Sequence, residues 1–113
     1  MKLVSIVVPL YNEAENVTDL YQELSRVLDS APFRGQLVFV DDGSTDGTAD
    51  ILNHEAAGDE RVMLVRFRRN FGQTAAMAAG IDFAEGDVIV TIDGDLQNDP
   101  AEIPQMVEKL DEG

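Results

Sequence analysis

Four short apolar runs separated by helix-period segments constrain this chain more than any other feature. The first, Leu3 to Val8, contains Val4, Ile6, Val7 and Val8 with almost no alternation, as expected of a strand covered on both faces. Pro9 is expected to end it. Leu37 to Val40 has the same character, and Val62 to Phe67 and Val88 to Ile92 supply a third and a fourth strand. Between the first two, Asn12 can cap a helix with Glu15 three residues on, and Val17, Leu20, Leu24, Val27 and Leu28 recur at helical spacing. Thr48 to Asn53 reads as a short helix, and the Ala-rich stretch from Gln73 to Ala84 as a good helix former. Ile103, Met106, Val107 and Leu110 mark a last helix, whose start lies either at Asp99-Pro100 or nearer Pro104. The rhythm β-α-β-α-β-α-β-α with short joints implies an α/β fold: an open, mostly parallel sheet with helices on both faces. An apolar fourth strand at the end of such a sheet leads us to expect a piece of a larger enzyme domain.

Charge then narrows the partners. Eight Lys and Arg stand against 22 Asp and Glu in 113 residues, a net charge of −14. A 44% apolar content is enough to build a core, so the acidity does not imply disorder. It does disfavour nucleic acid as a partner, because phosphate neutralisation needs clustered cations. Cations do cluster once, at Arg61, Arg66, Arg68 and Arg69. The absence of Cys excludes disulfides, thiolate metal sites and thiol catalysis. No apolar run approaches the roughly 20 residues that span a bilayer, and nothing at the N-terminus resembles a secretory signal.

Each strand is followed by a turn-forming cluster: Pro9 to Glu13, Asp41 to Thr45, Arg68 to Gly72 and Asp93 to Gln97. In an open parallel sheet the strand C-termini share one rim, where ligands bind, so four clusters are expected to converge. Asp93, Asp95 and Gln97 are spaced i, i+2, i+4, which places them on one side of an extended segment. Two carboxylates at about 4 Å repel by a few kcal/mol at intermediate dielectric, and a bound Mg²⁺ or Mn²⁺ relieves this. A solvated acidic turn is the alternative. Asp41 and Asp42 end the second strand, where carboxylates hold ribose or base; equally, such an Asp can serve a helix N-terminus. Neither a G-x-G-x-x-G nor a Walker lysine is present, which shifts phosphate neutralisation onto a metal and onto arginine, Arg69 first. Pro9 and Tyr11 can offer a flat wall to a base, with Glu13 as acceptor. His54, the only histidine, has no evident partner at its end of a short helix and reads as a surface residue.

Two other chemistries compete. A phosphoacceptor signalling domain is also acidic, α/β and about this long, but needs a later strand-end lysine, and no lysine lies between Lys2 and Lys109. A haloacid-type phosphatase would use Asp93 and Asp95, but Gln97 and the position after the fourth strand depart from its motif.

The ordered set Val7-Val8-Pro9-Leu10-Tyr11-Asn12-Glu13, Val40 to Asp46 and Asp93-Gly94-Asp95-Leu96-Gln97 resembles the N-terminal half of a family 2 inverting glycosyltransferase of the GT-A type. Arg69 to Gly80 narrows the resemblance to the polyprenyl-phosphate branch, which includes dolichol-phosphate mannosyltransferases and undecaprenyl-phosphate sugar transferases. The resemblance implies a Rossmann-like half-domain over residues 1–113 with strand order 3-2-1-4. It implies that Pro9, Tyr11 and Glu13 border the nucleotide, that Asp41 and Asp42 contact base or ribose, and that Arg69 and Asn70 flank the donor. Asp93, Asp95 and Gln97 would sit at Mg²⁺ or Mn²⁺. The substrates implied are a UDP- or GDP-sugar and a lipid phosphate, at the cytoplasmic face of a membrane. No catalytic base is implied, because the acceptor phosphate is already anionic. Family members are longer, so the chain is expected to hold the donor site alone. An uncovered fourth strand leaves a homo-oligomer open.

Overall fold

The structure, a computed structural model, describes residues 2–92, 103–105 and 107. Within residues 2–92 seven elements follow in order: β1 (Leu3–Leu10), α1 (Val17–Ser30), β2 (Arg34–Asp41), α2 (Thr48–Glu55), β3 (Val62–Arg66), α3 (Gln73–Phe83) and β4 (Val88–Thr91). All strand pairs are parallel, and the sheet order is β3-β2-β1-β4, as the resemblance implies.

Strand parity sorts the side chains onto two faces. Val4, Ile6, Val8 and Leu10 of β1 and Leu37 and Phe39 of β2 point to the face covered by Val17, Leu20, Leu24, Val27 and Leu28 of α1 and Leu52 of α2. Ile103 and Val107 join this core, and residue 103 is already helical, so the last helix has begun before Pro104. On the other face Val7, Val38 and Val40 pack against Ala76 of α3. The Ala-rich sequence lets α3 come close. A Cβ on Gly80 would stand 2.3 Å from Val7 Cγ1, so only glycine permits this approach.

Three expectations need correction. Pro9 does not end the first strand: β1 continues to Leu10, with Pro9 opposite Val40. The carbonyls of Leu3 and Val7 accept from Asp87 N and Ile92 N on the β4 side, whereas that of Leu10 accepts from Asp42 N on the β2 side. By the same parity the missing Pro9 N–H faces the β4 side beyond Thr91, and the β1–β2 ladder loses nothing. Asn12 does not cap α1, which begins after Asn16; Asn12 instead takes a positive φ of 52° and reaches across to the β2 loop. Finally, β4 is not covered on both faces. Val90 is buried on the α1 side, whereas Ile89 and Thr91 on the α3 side are exposed.

One buried polar pair fixes the end of α3. Ser5 Oγ donates to Gln36 Oε1 at 2.6 Å, and these two atoms accept the N–H groups of Gly86 and Glu85 at 2.8 and 3.0 Å. No buried side-chain polar atom among the described residues lacks a partner.

Candidate functional site

Three of the four clusters predicted to share a rim are joined there by hydrogen bonds. The loop after β1 rests on the loop after β2: Asn12 N donates to Ser44 Oγ at 2.9 Å, and Asn12 Oδ1 accepts Thr45 N at 2.8 Å. The Ser44 hydroxyl in turn donates to Asp41 Oδ1. One step further, Glu13 N donates to Thr48 Oγ1 at 2.9 Å and Ala14 N to Asp46 Oδ2 at 3.1 Å. Asp46 also accepts the Thr48 hydroxyl and, at 3.1 Å, its N–H, which serves the first turn of α2. Burial pushes the Asp46 carboxyl up, but the hydrogen bonds from Thr48 and Ala14 outweigh it and hold the group below the usual carboxylate range.

The loop after β3 is fastened to β2 by Asp42. Asp42 Oδ1 accepts Phe71 N at 2.8 Å, and Oδ2 accepts Gly72 N and Asn70 Nδ2, both at 2.9 Å. Asn70 Nδ2 also approaches the Asp42 carbonyl at 3.2 Å. Asp42 is 3% exposed, and its charge stands just before the N-terminus of α3, where the helix dipole favours it. Gly43, at φ 73°, makes the contact possible, because a Cβ there would lie 2.2 Å from the Arg69 carbonyl carbon.

The predicted residues therefore divide. Pro9 is buried in β1, and Tyr11 is 47% exposed at the rim. Glu13 supports the turn before α1, its carboxylate accepting Asn16 Nδ2 at 3.0 Å. Asp41 is 2% exposed and turned towards Ser44. Arg69 is exposed, its guanidinium carbon 4.8 Å from the centroid of the Phe71 ring, which meets Phe67 edge-on at 5.6 Å. Asn70 binds Asp42. The metal candidates Asp93, Asp95 and Gln97 lie outside the described residues. Among the described residues no group of three or more His, Asp or Glu could hold a metal ion.

The cationic cluster also divides. Arg66 faces Asp50 of α2 at 3.5 Å, with both side chains more than half exposed. Arg61 lies before β3, at the opposite end of the sheet from the rim, and binds Asp59 and Asp29. Rim cations are thus Arg66, Arg68 and Arg69. The sequence reading missed Ser44, Asp46 and Thr48 as the struts of the rim. Their signal was present: a run of hydroxyl and carboxylate side chains before a short helix is an N-terminal capping pattern.

A model of glycosyl transferase family 2 matches residues 5–113. The chain belongs to that family. Dodecaprenyl-phosphate galacturonate synthase of Rhizobium johnstonii is 50% identical over 109 residues, 95% of this chain and 32% of that protein. The structure of S. aureus TarS 1-349 in complex with UDP-GlcNAc matches with a TM-score of 0.79 at 25% identity, covering 99% of this chain and 32% of that one. The mannosyltransferase PcManGT from Pyrobaculum calidifontis, in complex with GDP-Man and Mn²⁺, matches with a TM-score of 0.73 at 29% identity, covering 81% of this chain and 27% of that one. The family 2 chain described here spans about a third of the length of these relatives. Family membership sets aside the phosphoacceptor and phosphatase chemistries.

Proposed function

We propose that residues 1–113 form the donor-binding half of an enzyme that transfers a sugar from a nucleoside diphosphate to a polyprenyl phosphate with inversion. The observation that carries this reading is the joined rim. Tyr11, Asp41 and Arg69, from three different strand ends, stand on loops that hydrogen-bond one another, in a chain of this family. Tyr11 and Pro9 would border the base, Asp41 and Glu13 would accept hydrogen bonds from base or ribose, and Arg69 would meet the diphosphate. Stacking on Phe71 holds the Arg69 guanidinium with less loss of side-chain freedom on binding.

Asp93, Asp95 and Gln97 would hold Mg²⁺ or Mn²⁺. Two carboxylates and an amide oxygen suit a hard cation that completes its shell with phosphate oxygen and water. The PcManGT complex contains Mn²⁺ with its nucleotide sugar. When bound, such an ion offsets the charge gathering on the departing diphosphate. A polyprenyl-phosphate acceptor is supported by the relative that takes its name from dodecaprenyl phosphate, and with such an acceptor the reaction would run at the cytoplasmic face of a membrane. No helix among the described residues is long and apolar enough to cross a membrane.

Titration of UDP, GDP and their sugars tests the reading. Binding should need Mn²⁺ or Mg²⁺, and Asp93→Asn or Asp95→Asn should weaken it about tenfold, as loss of one charged ligand does. Equal affinity in EDTA removes the metal, and no affinity for either diphosphate under any condition removes the donor site.

A further inference from the structure

Asp42 stands in the motif whose resemblance implies contact with base or ribose, yet its surroundings assign its carboxylate another task. Both oxygens are taken up by the chain that follows β3: Phe71 N on one, Gly72 N and Asn70 Nδ2 on the other. Asp41 and Asp42 are both nearly inaccessible, so their hydrogen bonds and not their burial separate them. Neighbouring Asp41 differs, since its hydrogen-bond partner is Ser44 three residues away in its own turn. Of two adjacent carboxylates, one shapes its own loop and the other reaches 28 to 30 residues ahead to shape the next.

We propose that Asp42 is a positioning residue: it fixes the 69–72 loop, and through it Arg69, at the rim, without touching the nucleotide. The proposal rests on the reading of Arg69 as the diphosphate partner. Three N–H donors converge on one carboxylate, and each is charge-assisted. Their directions are set by consecutive residues Asn70, Phe71 and Gly72, so the carboxylate defines where Arg69 leaves the loop. Close packing of Gly43 against the Arg69 and Asn70 backbone removes the remaining freedom. An amide in place of the carboxylate fails at this task, because in either orientation its NH₂ group faces an N–H donor.

The discriminating experiment compares nucleoside with nucleoside diphosphate on the full chain carrying Asp42→Asn. Uridine, guanosine, UDP and GDP are titrated with Mn²⁺ present, while amide exchange is followed at Phe71 and Gly72. Expected results are at least tenfold faster exchange at both amides, diphosphate affinity weakened about tenfold, and nucleoside affinity changed less than twofold. Nucleoside affinity falling as far as diphosphate affinity overturns the proposal, because Asp42 would then touch base or ribose. Unchanged exchange overturns it as well. Arg69→Ala separates the two layers. If Arg69→Ala leaves diphosphate binding intact, the reading of Arg69 fails; if it weakens binding while Asp42→Asn changes neither exchange nor affinity, the positioning role alone fails. In the double variant, affinity should fall no further than in Arg69→Ala. Should Asp42→Asn not fold, Asn70→Ala removes one donor, keeps the buried charge on its two backbone partners, and must show the same split between nucleoside and diphosphate.

Discussion

The two ends of β3 carry the same chemistry, arginine beside aspartate, and use it in opposite ways. Before the strand, Arg61 grips both oxygens of Asp59 through Nε and Nη2, each at 2.9 Å, and spends its remaining groups on Asp29 and Ser25 of α1. Tyr21 closes the cluster from α1 with a 2.6 Å hydrogen bond to Asp59. After the strand, Arg69 stacks on an aromatic ring and leaves its donors outward, while the carboxylate nearest its loop is occupied by other N–H groups. A cluster whose charges satisfy each other can only hold the fold together. One in which the anion is satisfied by backbone and the cation is left open can receive an anion from outside.

Gly43→Ala is the strongest way to break the open end. Its φ of 73° disfavours any L side chain, and the new methyl would sit within 2.2–2.4 Å of the Arg69 and Asn70 backbone, where no flexible side chain can yield. The 69–72 loop must move. A loss of about 3 kcal/mol is expected in urea unfolding, from left-handed strain plus steric displacement. Diphosphate affinity should fall with it, and a variant of native stability with an undisturbed loop would mean that the rim is softer than its contacts indicate.

That dependence on Gly43 bears on what the residues alone could disclose. Strand and helix order was legible because buried parallel strands read as continuous apolar runs, and α1 repeats its leucines and valines at helical spacing. Convergence of the loops was legible because topology forces parallel strand ends to one rim. The assignment of Asn12 as a cap failed for a physical reason. A short amide side chain with positive φ can satisfy a distant N–H as readily as a local one, and here Thr45 competes successfully. Asp41 and Asp42 were indistinguishable as a pair, because only their hydrogen-bond partners, Ser44 for one and residues 70–72 for the other, separate their roles. Arg61 was grouped with the rim arginines by closeness in sequence, although a five-residue strand carries it to the other end of the sheet.

Arg61→Ala should break the closed end and leave the open end intact. Asp59 would keep Tyr21 but lose its bidentate partner, at an expected cost of about 2 kcal/mol in thermal or urea unfolding. This is below the cost of a fully buried broken pair because Arg61 is 28% exposed. UDP or GDP affinity should change by less than about twofold, since Arg61 and Arg69 lie at opposite ends of β3. A larger change in affinity would show that the ends communicate and that the contrast between them is false.

Acid sharpens the same contrast by a smaller amount. Hydrogen bonds from the Arg61 side chain, opposed by burial and aided by the Tyr21 hydroxyl and the Arg61 N–H, hold the Asp59 carboxyl down at about 2, against an ordinary value of 3.8. Because the folded value is the lower one, the unfolded chain takes up the proton first. The stabilisation is therefore complete above about pH 4 and is lost as pH falls through about 2. After discounting for solvent at a partly exposed pair, it is worth about 1 kcal/mol. The Asp46 carboxyl at the rim is also held below the usual carboxylate range, so the acid limb of the native chain contains both ends. Arg61→Ala resolves them: the stability gap between native and variant should narrow by about 1 kcal/mol between pH 4 and pH 2 as Asp59 protonates. A gap that stays constant with pH would mean that Arg61 acts through packing of its stem alone, and the closed cluster would then owe its stability to shape and not to charge.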